Sequence, residues 1–141
     1  MSNQIVRIIV PIALLLHGLG HGGALVALIW IKFRPGDNSG GWLAAHSWLF
    51  PSLQAPAPAI VASIFWILSL LGFVAAALSF WGVLIPVDAW RQIAVVFAFV
   101  SILGIVLFFN TWPPFNTFAA LAVNFAVLIT QLWLRWPLQN I

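Results

Sequence analysis

Long apolar runs separated by short polar segments dominate the pattern of this chain. Four runs cover about residues 5–31, 58–85, 89–110 and 114–135, and each reaches the about 20 residues that a helix needs to cross the hydrocarbon core of a bilayer. The runs show no alternation of the kind that a membrane-spanning strand requires. Because lipid offers the backbone no hydrogen-bond partner, such runs cross it as helices. The pattern predicts an all-α fold: an integral membrane bundle of four transmembrane helices, with residues 1–141 forming a single domain.

The connections between the runs differ in length. The first, about residues 33–57, is the longest and has Gly and Pro at both ends. Its middle, residues 42–50, is apolar but too short to span, which predicts a short interfacial helix. The other connections are tight, so consecutive helices are predicted to be antiparallel neighbours, with both termini on one side. Tryptophans near the ends of the runs are typical of an aromatic belt at the two membrane surfaces.

Composition supports a lipid environment and excludes several kinds of function. Of the 141 residues, 64% are hydrophobic and 5% are charged, against about 25% charged in an ordinary soluble domain. The few basic side chains are dispersed among the ends of the runs, so no patch for nucleic acid can form. The chain has no Cys and only two acids, which excludes thiol chemistry and makes a catalytic carboxylate pair improbable. We expect no catalytic activity of the chain on its own.

The basic residues also bear on orientation. Arg7, Arg91 and Arg135 fall on the side of the termini, whereas Lys32 and Arg34 fall on the other. The excess of positive charge in cytoplasmic segments predicts that both termini are cytoplasmic. The sequence thus predicts a multi-pass protein of the cell (plasma) membrane.

A histidine pair lies near the centre of the first run, in the segment His17-Gly-Leu-Gly-His21-Gly-Gly. Spacing of four places both imidazoles on one face of a helix. Gly costs about 1 kcal/mol relative to Ala inside a helix, so this density of Gly indicates a close approach of another group. Gly18 and Gly22 form a small-xxx-small pair suited to helix packing.

The pair has three interpretations, of which the first is structural. Counting from the midpoints of the runs places His17 level with Ser69, Ser101 and Asn124. Polar side chains at one depth can join helices by hydrogen bonds. This interpretation predicts a buried polar layer in which Asn124 is the partner of His17.

The second interpretation is a metal or tetrapyrrole site. Two His residues at this spacing can share a divalent metal ion, and His46 of the first loop can supply a third ligand. One helix cannot furnish both axial ligands of a haem, so His17 or His21 then needs His46 or a partner subunit opposite. A chlorophyll-type pigment needs only one axial His.

The third interpretation is a quinone or proton site. Ionisable groups inside a membrane often mark such paths, and the His17/His21 pair can pass protons toward the membrane surface on the side of Lys32. The sequence offers no carboxylate within the runs to complete a longer relay.

The segment from Arg7 to His21, in which an Arg leads an apolar run that ends in His17-Gly18-Leu19-Gly20-His21, resembles the opening helix of DoxX-like membrane proteins. That family has His-Gly-x-x-Lys here, so His21 replaces its Lys. The resemblance implies a small four-helix membrane protein, and some members of the family are associated with quinol-oxidising respiratory complexes.

Three hypotheses of function follow. The leading one is a small non-catalytic subunit that packs against other membrane protein subunits in an electron-transfer or photosynthetic complex and helps to hold a quinone, haem or pigment at His17/His21. A second is an independent membrane protein that binds a metal or haem through His17, His21 and His46. A third is a small oligomeric transporter or channel.

Overall fold

The computed structural model describes residues 3–32, 47–54 and 56–136, and within them the regular structure is entirely helical. Its four long helices are α1 (Asn3–Lys32), α2 (Ala57–Phe80), α3 (Trp90–Leu107) and α4 (Pro114–Leu128), the last extended by a π-helical turn over Ile129–Trp133. Short 3₁₀ turns precede and follow α3. Four spans among these residues are long and apolar enough to cross a bilayer. The predicted all-α, multi-pass membrane architecture is confirmed.

The ends of the helices differ from the apolar runs. The second run was predicted to extend to residue 85, but α2 ends at Phe80 and a turn follows. In this turn Gly82 and Leu84 have φ values of 70° and 65°, which a helix cannot accommodate. The third helix likewise ends at Leu107, short of residue 110. Apolar side chains continue beyond the helices, so hydrophobicity alone misplaced these boundaries.

The predicted interfacial helix falls mainly on residues outside the described ranges. Residues 47–54, the described part of the first loop, form turns and bends instead of a helix. Trp48 Nε1 donates a hydrogen bond of 2.6 Å to the carbonyl oxygen of Val106. That carbonyl lies in the last turn of α3, where the helix offers it no amide partner. The bond fixes this part of the loop to the end of α3.

Contacts between consecutive helices run in opposite directions along the chain, which makes them antiparallel. The pairs in contact are Arg7–Trp81 and His21–Trp66 between α1 and α2, Phe97–Gly72 and Phe65–Gly104 between α2 and α3, and Arg91–Arg135 and Ser101–Asn124 towards α4. The described ends of α1 and α4 at Asn3 and Trp136 therefore lie at the same end of the bundle.

The bundle is closed on three sides and open on the fourth. α1 packs extensively on α2 and α2 on α3, α3 packs less on α4, and α1 and α4 hardly touch. Accordingly, 11% of the apolar window of the fourth span is buried, against 28–33% for the other three spans. Within the described helices, the seam between α1 and α4 is therefore open at the side.

Pro11 explains a contact near the start of α1. It lies inside the helix and lacks an amide hydrogen, so the carbonyl of Arg7, four residues earlier, has no helical partner. Trp81 Nε1, from the end of α2, donates to this oxygen at 3.3 Å. The carbonyl that Pro11 leaves unpaired in α1 is thereby hydrogen-bonded by a side chain at the end of α2.

Glycines set the closest approaches between helices. A Cβ added to Gly18 would lie 3.1 Å from Leu70 O and from Phe73 Cβ of α2, which places α1 tightly on α2. Gly22 has more room, 3.6 Å from a Leu70 methyl group. At Gly72 a Cβ would overlap the ring of Phe97. The predicted packing role of Gly18 agrees with this geometry, while Gly72 carries the tightest contact.

Candidate functional site

Four polar side chains from three helices form a continuous hydrogen-bonded chain in the middle of the bundle. His17 Nε2 lies 2.8 Å from Asn124 Oδ1, and Asn124 Nδ2 donates to Ser101 Oγ at 2.7 Å. Ser101 Oγ in turn lies 3.0 Å from His21 Nε2. The chain starts and ends on α1 and passes through α4 and α3. Asn124 and Ser101 are completely buried, and His21 is 1% exposed.

This chain orients the two imidazoles and does not carry protons along itself. The central member is an amide, which offers a fixed acceptor oxygen and a fixed donor nitrogen. Passing a proton through Asn124 would require the amide to change its bonding. The geometry therefore sets where each ring nitrogen points and which of them remain for other partners.

Aromatic rings surround His21. The ring of Trp66 is stacked on it, with centroids 5.6 Å apart and planes at 13°. Phe73 is nearly parallel at 6.2 Å, and Trp112 is tilted at 6.1 Å. His17 meets His21 edge to face at 5.0 Å. An imidazole enclosed in this way is rigid, and its surroundings favour flat apolar groups.

A cleft of about 240 Å³ opens at the seam between α1 and α4, beside this network. Its lining residues are Leu16, His17, Gly20, His21, Trp112, Asn116, Ala119, Ala120 and Val123. Leu16 and Val123 at its edge are exposed, so the cleft is reached from the lipid side. It thus joins an apolar entrance to the two imidazoles.

Several buried polar side-chain atoms have no hydrogen-bond partner within the described part of the chain. They include His21 Nδ1, Trp66 Nε1, Ser69 Oγ and Thr111 Oγ1. Buried polar atoms are normally satisfied, and leaving one unpaired costs about 1–3 kcal/mol. His21 Nδ1 is the atom of this group whose residue also lines the cleft.

The sequence identified most of the hydrogen-bonded chain. The predicted partnership of His17 with Asn124 is present, and Ser101 belongs to the same layer. His21, which follows His17 by one helical turn, also takes part in it through Ser101. Ser69 is buried as expected, but its hydroxyl is not bonded to the network.

The proposed three-histidine metal site stays a prediction, because the described residues do not include all three ligands. His46, its third ligand, lies outside them. Within the described ranges no three His, Cys, Asp or Glu side chains come together. The Nε2 atoms of His17 and His21 are already hydrogen-bonded to protein groups, so only their Nδ1 atoms remain.

Trp66 and Trp112 were missed as site residues. Trp66 stood out as a tryptophan deep inside a run, and it lies seven residues before Phe73 on the same helical face. This position and this spacing could have identified Trp66 from the sequence. Trp112 was assigned to the membrane surface because it follows the third run, and the 3₁₀ turn that carries its ring back to Trp66, 5.3 Å away, leaves no mark in the pattern.

No protein-family model, no curated protein and no solved structure matches this chain. The resemblance to DoxX-like proteins therefore stays a prediction from the residues of the first helix. The assignment of function depends on the geometry of the site.

Proposed function

We propose that this protein is a small membrane subunit that holds the flat head group of a lipophilic ligand, first of all a quinone-type molecule, in the cleft between α1 and α4. The observation that carries the proposal is the unpartnered, buried Nδ1 of His21 in a residue that lines a cleft open to lipid. A ligand oxygen there satisfies this atom. The surrounding rings offer a flat group its packing surface.

The size of the cleft favours one ring over a macrocycle. A cavity of about 150 Å³ accepts benzene, whereas pockets for larger ligands span about 300–1,000 Å³. At about 240 Å³, the cleft suits a substituted six-membered ring with its tail in lipid. A haem or a chlorophyll-type pigment would project from the seam and would need a partner subunit to cover it.

The same features lead us to place the protein in an electron-transfer or photosynthetic complex. A redox ligand held in the cleft would exchange electrons with another subunit of such a complex. The resemblance of the first helix to DoxX-like proteins points in the same direction. The expected location is the plasma membrane, with cytoplasmic termini.

Ligand extraction from the protein, purified in mild detergent with its associated subunits, tests the proposal. We expect a lipophilic quinone-type compound, detected by absorption and mass spectrometry, at near-equal amount to the protein. Ala119→Trp places a large ring in the cleft while keeping all four residues of the hydrogen-bonded chain, and it should remove the compound. Ala126→Trp, also on an exposed position of α4 but outside the cleft, should retain it.

Two results would contradict the proposal. One is a wild-type protein that purifies as a monomer without any bound lipophile. The other is equal retention of the compound by the two Trp variants, which would place the ligand outside the cleft.

A further inference from the structure

The hydroxyl hydrogen of Ser101 decides the direction of the hydrogen-bonded chain. Ser101 Oγ has two polar neighbours, the amide nitrogen of Asn124 and Nε2 of His21. The amide nitrogen is a donor and cannot accept. Ser63, Thr117 and Thr130 donate to carbonyls of their own helices, whereas Ser101 has no such bond. With the amide of Asn124 in this orientation, the hydroxyl hydrogen of Ser101 is left to donate to His21 Nε2.

This direction assigns one hydrogen to each neutral imidazole. His21 accepts at Nε2 and therefore carries its hydrogen on Nδ1. His17 faces the amide oxygen of Asn124 with Nε2, so it carries its hydrogen there and has a free lone pair on Nδ1. The two rings at the cleft thus differ: His21 retains a donor and His17 retains an acceptor.

From this asymmetry we infer that the cleft takes the hydroxyl form of its ligand, a lipophilic phenol or quinol, in preference to the quinone. The ligand's O–H donates to His17 Nδ1, and the same oxygen accepts from His21 Nδ1–H. The two rings are neighbours, with their centroids 5.0 Å apart, and both residues line the cleft, so a ligand oxygen that lies between the rings can bond to both. The inference rests on the proposed function, because it names the chemical form of the ligand of that site.

Neither oxidised nor methylated ligands offer the same pair of bonds. A quinone carbonyl accepts from His21 but leaves the lone pair of His17 unmatched. A methyl ether also lacks the hydrogen, and its methyl group occupies the space of the bond. Losing one hydrogen bond of this kind lowers affinity by about tenfold.

The test is calorimetric titration of the ligand-free protein in detergent with three probes: decylubiquinol under argon, decylubiquinone and the dimethyl ether of the quinol. We expect the quinol to bind about tenfold more tightly than either of the others. Ser101→Ala removes the hydrogen that orients His21 and should reduce this preference to about threefold or less. Ser63→Ala, which removes a hydroxyl bonded within α2, should keep the wild-type preference.

The outcomes separate this inference from the proposed function. Equal affinity of the wild-type protein for all three probes would overturn the hydroxyl preference while leaving a site for a flat ligand. Tighter binding of the quinone would overturn it in the same way. Absence of binding by all three would overturn both proposals. The wild-type comparison alone is decisive if Ser101→Ala fails to fold.

Discussion

At the scale of single residues, Asn124 joins three helices of the bundle. It is the described α4 residue whose side chain bonds to both α1 and α3, and it is completely buried. Its amide oxygen faces Nε2 of His17, and its amide nitrogen donates to the hydroxyl oxygen of Ser101. Because α1 and α4 otherwise hardly touch, this one side chain ties the two sides of the open seam together.

Asn124→Leu should therefore destabilise the bundle. The substitution keeps a similar volume. It leaves His17 Nε2–H without its acceptor, and it removes the donor that Asn124 offers to Ser101 Oγ. Interhelical hydrogen bonds in membranes average about 0.6 kcal/mol, and an unpaired buried group costs about 1–3 kcal/mol. We expect a loss of about 1–3 kcal/mol in the free energy of unfolding, measured by denaturant titration in mixed micelles.

Asn116→Leu is the matched control for this prediction. Asn116 lies on the same helix, is exposed, and forms no hydrogen bond with the described part of the chain. Its substitution should change the free energy of unfolding little. Equal effects of the two variants would show that the buried network contributes nothing measurable.

At the scale of helices, side chains from neighbouring segments bond to carbonyl groups that lack a helical partner, and glycines set the distance between helices. The carbonyl that Pro11 leaves free is bonded by Trp81 of α2, and the carbonyl of Val106 at the end of α3 is bonded by Trp48 of the first loop. The indole N–H serves both times because tryptophan combines an apolar body with a single donor. Both bonds fasten segments near the ends of the bundle.

The pairing of Pro11 with Trp81 predicts a non-additive pair of mutations. Trp81→Phe removes the donor and should cost up to about 1 kcal/mol in the wild-type background. In Pro11→Ala the new amide hydrogen of residue 11 bonds to the Arg7 carbonyl, so the same Trp81→Phe substitution should cost less. Unfolding of the four proteins of this double-mutant cycle measures the difference. Additive effects would mean that Trp81 acts by packing alone.

The tight contact of α2 with α3 predicts that substitution by Ala lowers stability at Gly72 but not at Gly23. Gly72→Ala drives a methyl group into the ring of Phe97 and should destabilise by about 1–3 kcal/mol. A Cβ at Gly23 of α1 meets nothing within 4 Å, so Gly23→Ala should be neutral or slightly stabilising. Thermal unfolding of both variants in one detergent checks this. A neutral Gly72→Ala would contradict the tight contact between these helices.

Sequence reasoning reached some of these features and missed others for physical reasons. The four helices follow from hydrophobic length, and the partnership of His17 with Asn124 follows from matched depth. The turn after Phe80 was missed because its residues are as apolar as the helix before it. The role of Trp112 depends on a 3₁₀ turn, and the stacking around His21 depends on how far each helix is rotated about its axis. Neither quantity is encoded in a hydrophobic pattern.

At the scale of the whole molecule, the antiparallel order divides the loops between two sides of the membrane. The turn between α2 and α3 lies on the side of residues 3 and 136, and residues 47–54 lie on the other. The fourth span is mostly exposed, and its outer surface carries bulky apolar side chains such as Phe118 and Phe125. This surface suits lipid.

The absence of cysteine from the sequence allows a direct topology test. In Val87→Cys and Ser52→Cys the new thiols lie in exposed segments on opposite sides of the bundle. If both termini are cytoplasmic, a membrane-impermeant maleimide added to intact cells should label Ser52→Cys and spare Val87→Cys. The reverse pattern would place the termini outside, and labelling of both would contradict the antiparallel bundle.

The tautomers of the two histidines test most directly the direction of the hydrogen bonds in the buried network. Nitrogen NMR of the protein with ¹⁵N-labelled His in bilayers, with His46→Gln to simplify the spectrum, reports which ring nitrogen carries the hydrogen. We predict the Nε2–H form for His17 and the Nδ1–H form for His21. The same form for both rings, or two protonated nitrogens on either ring, would contradict the network and the site built on it.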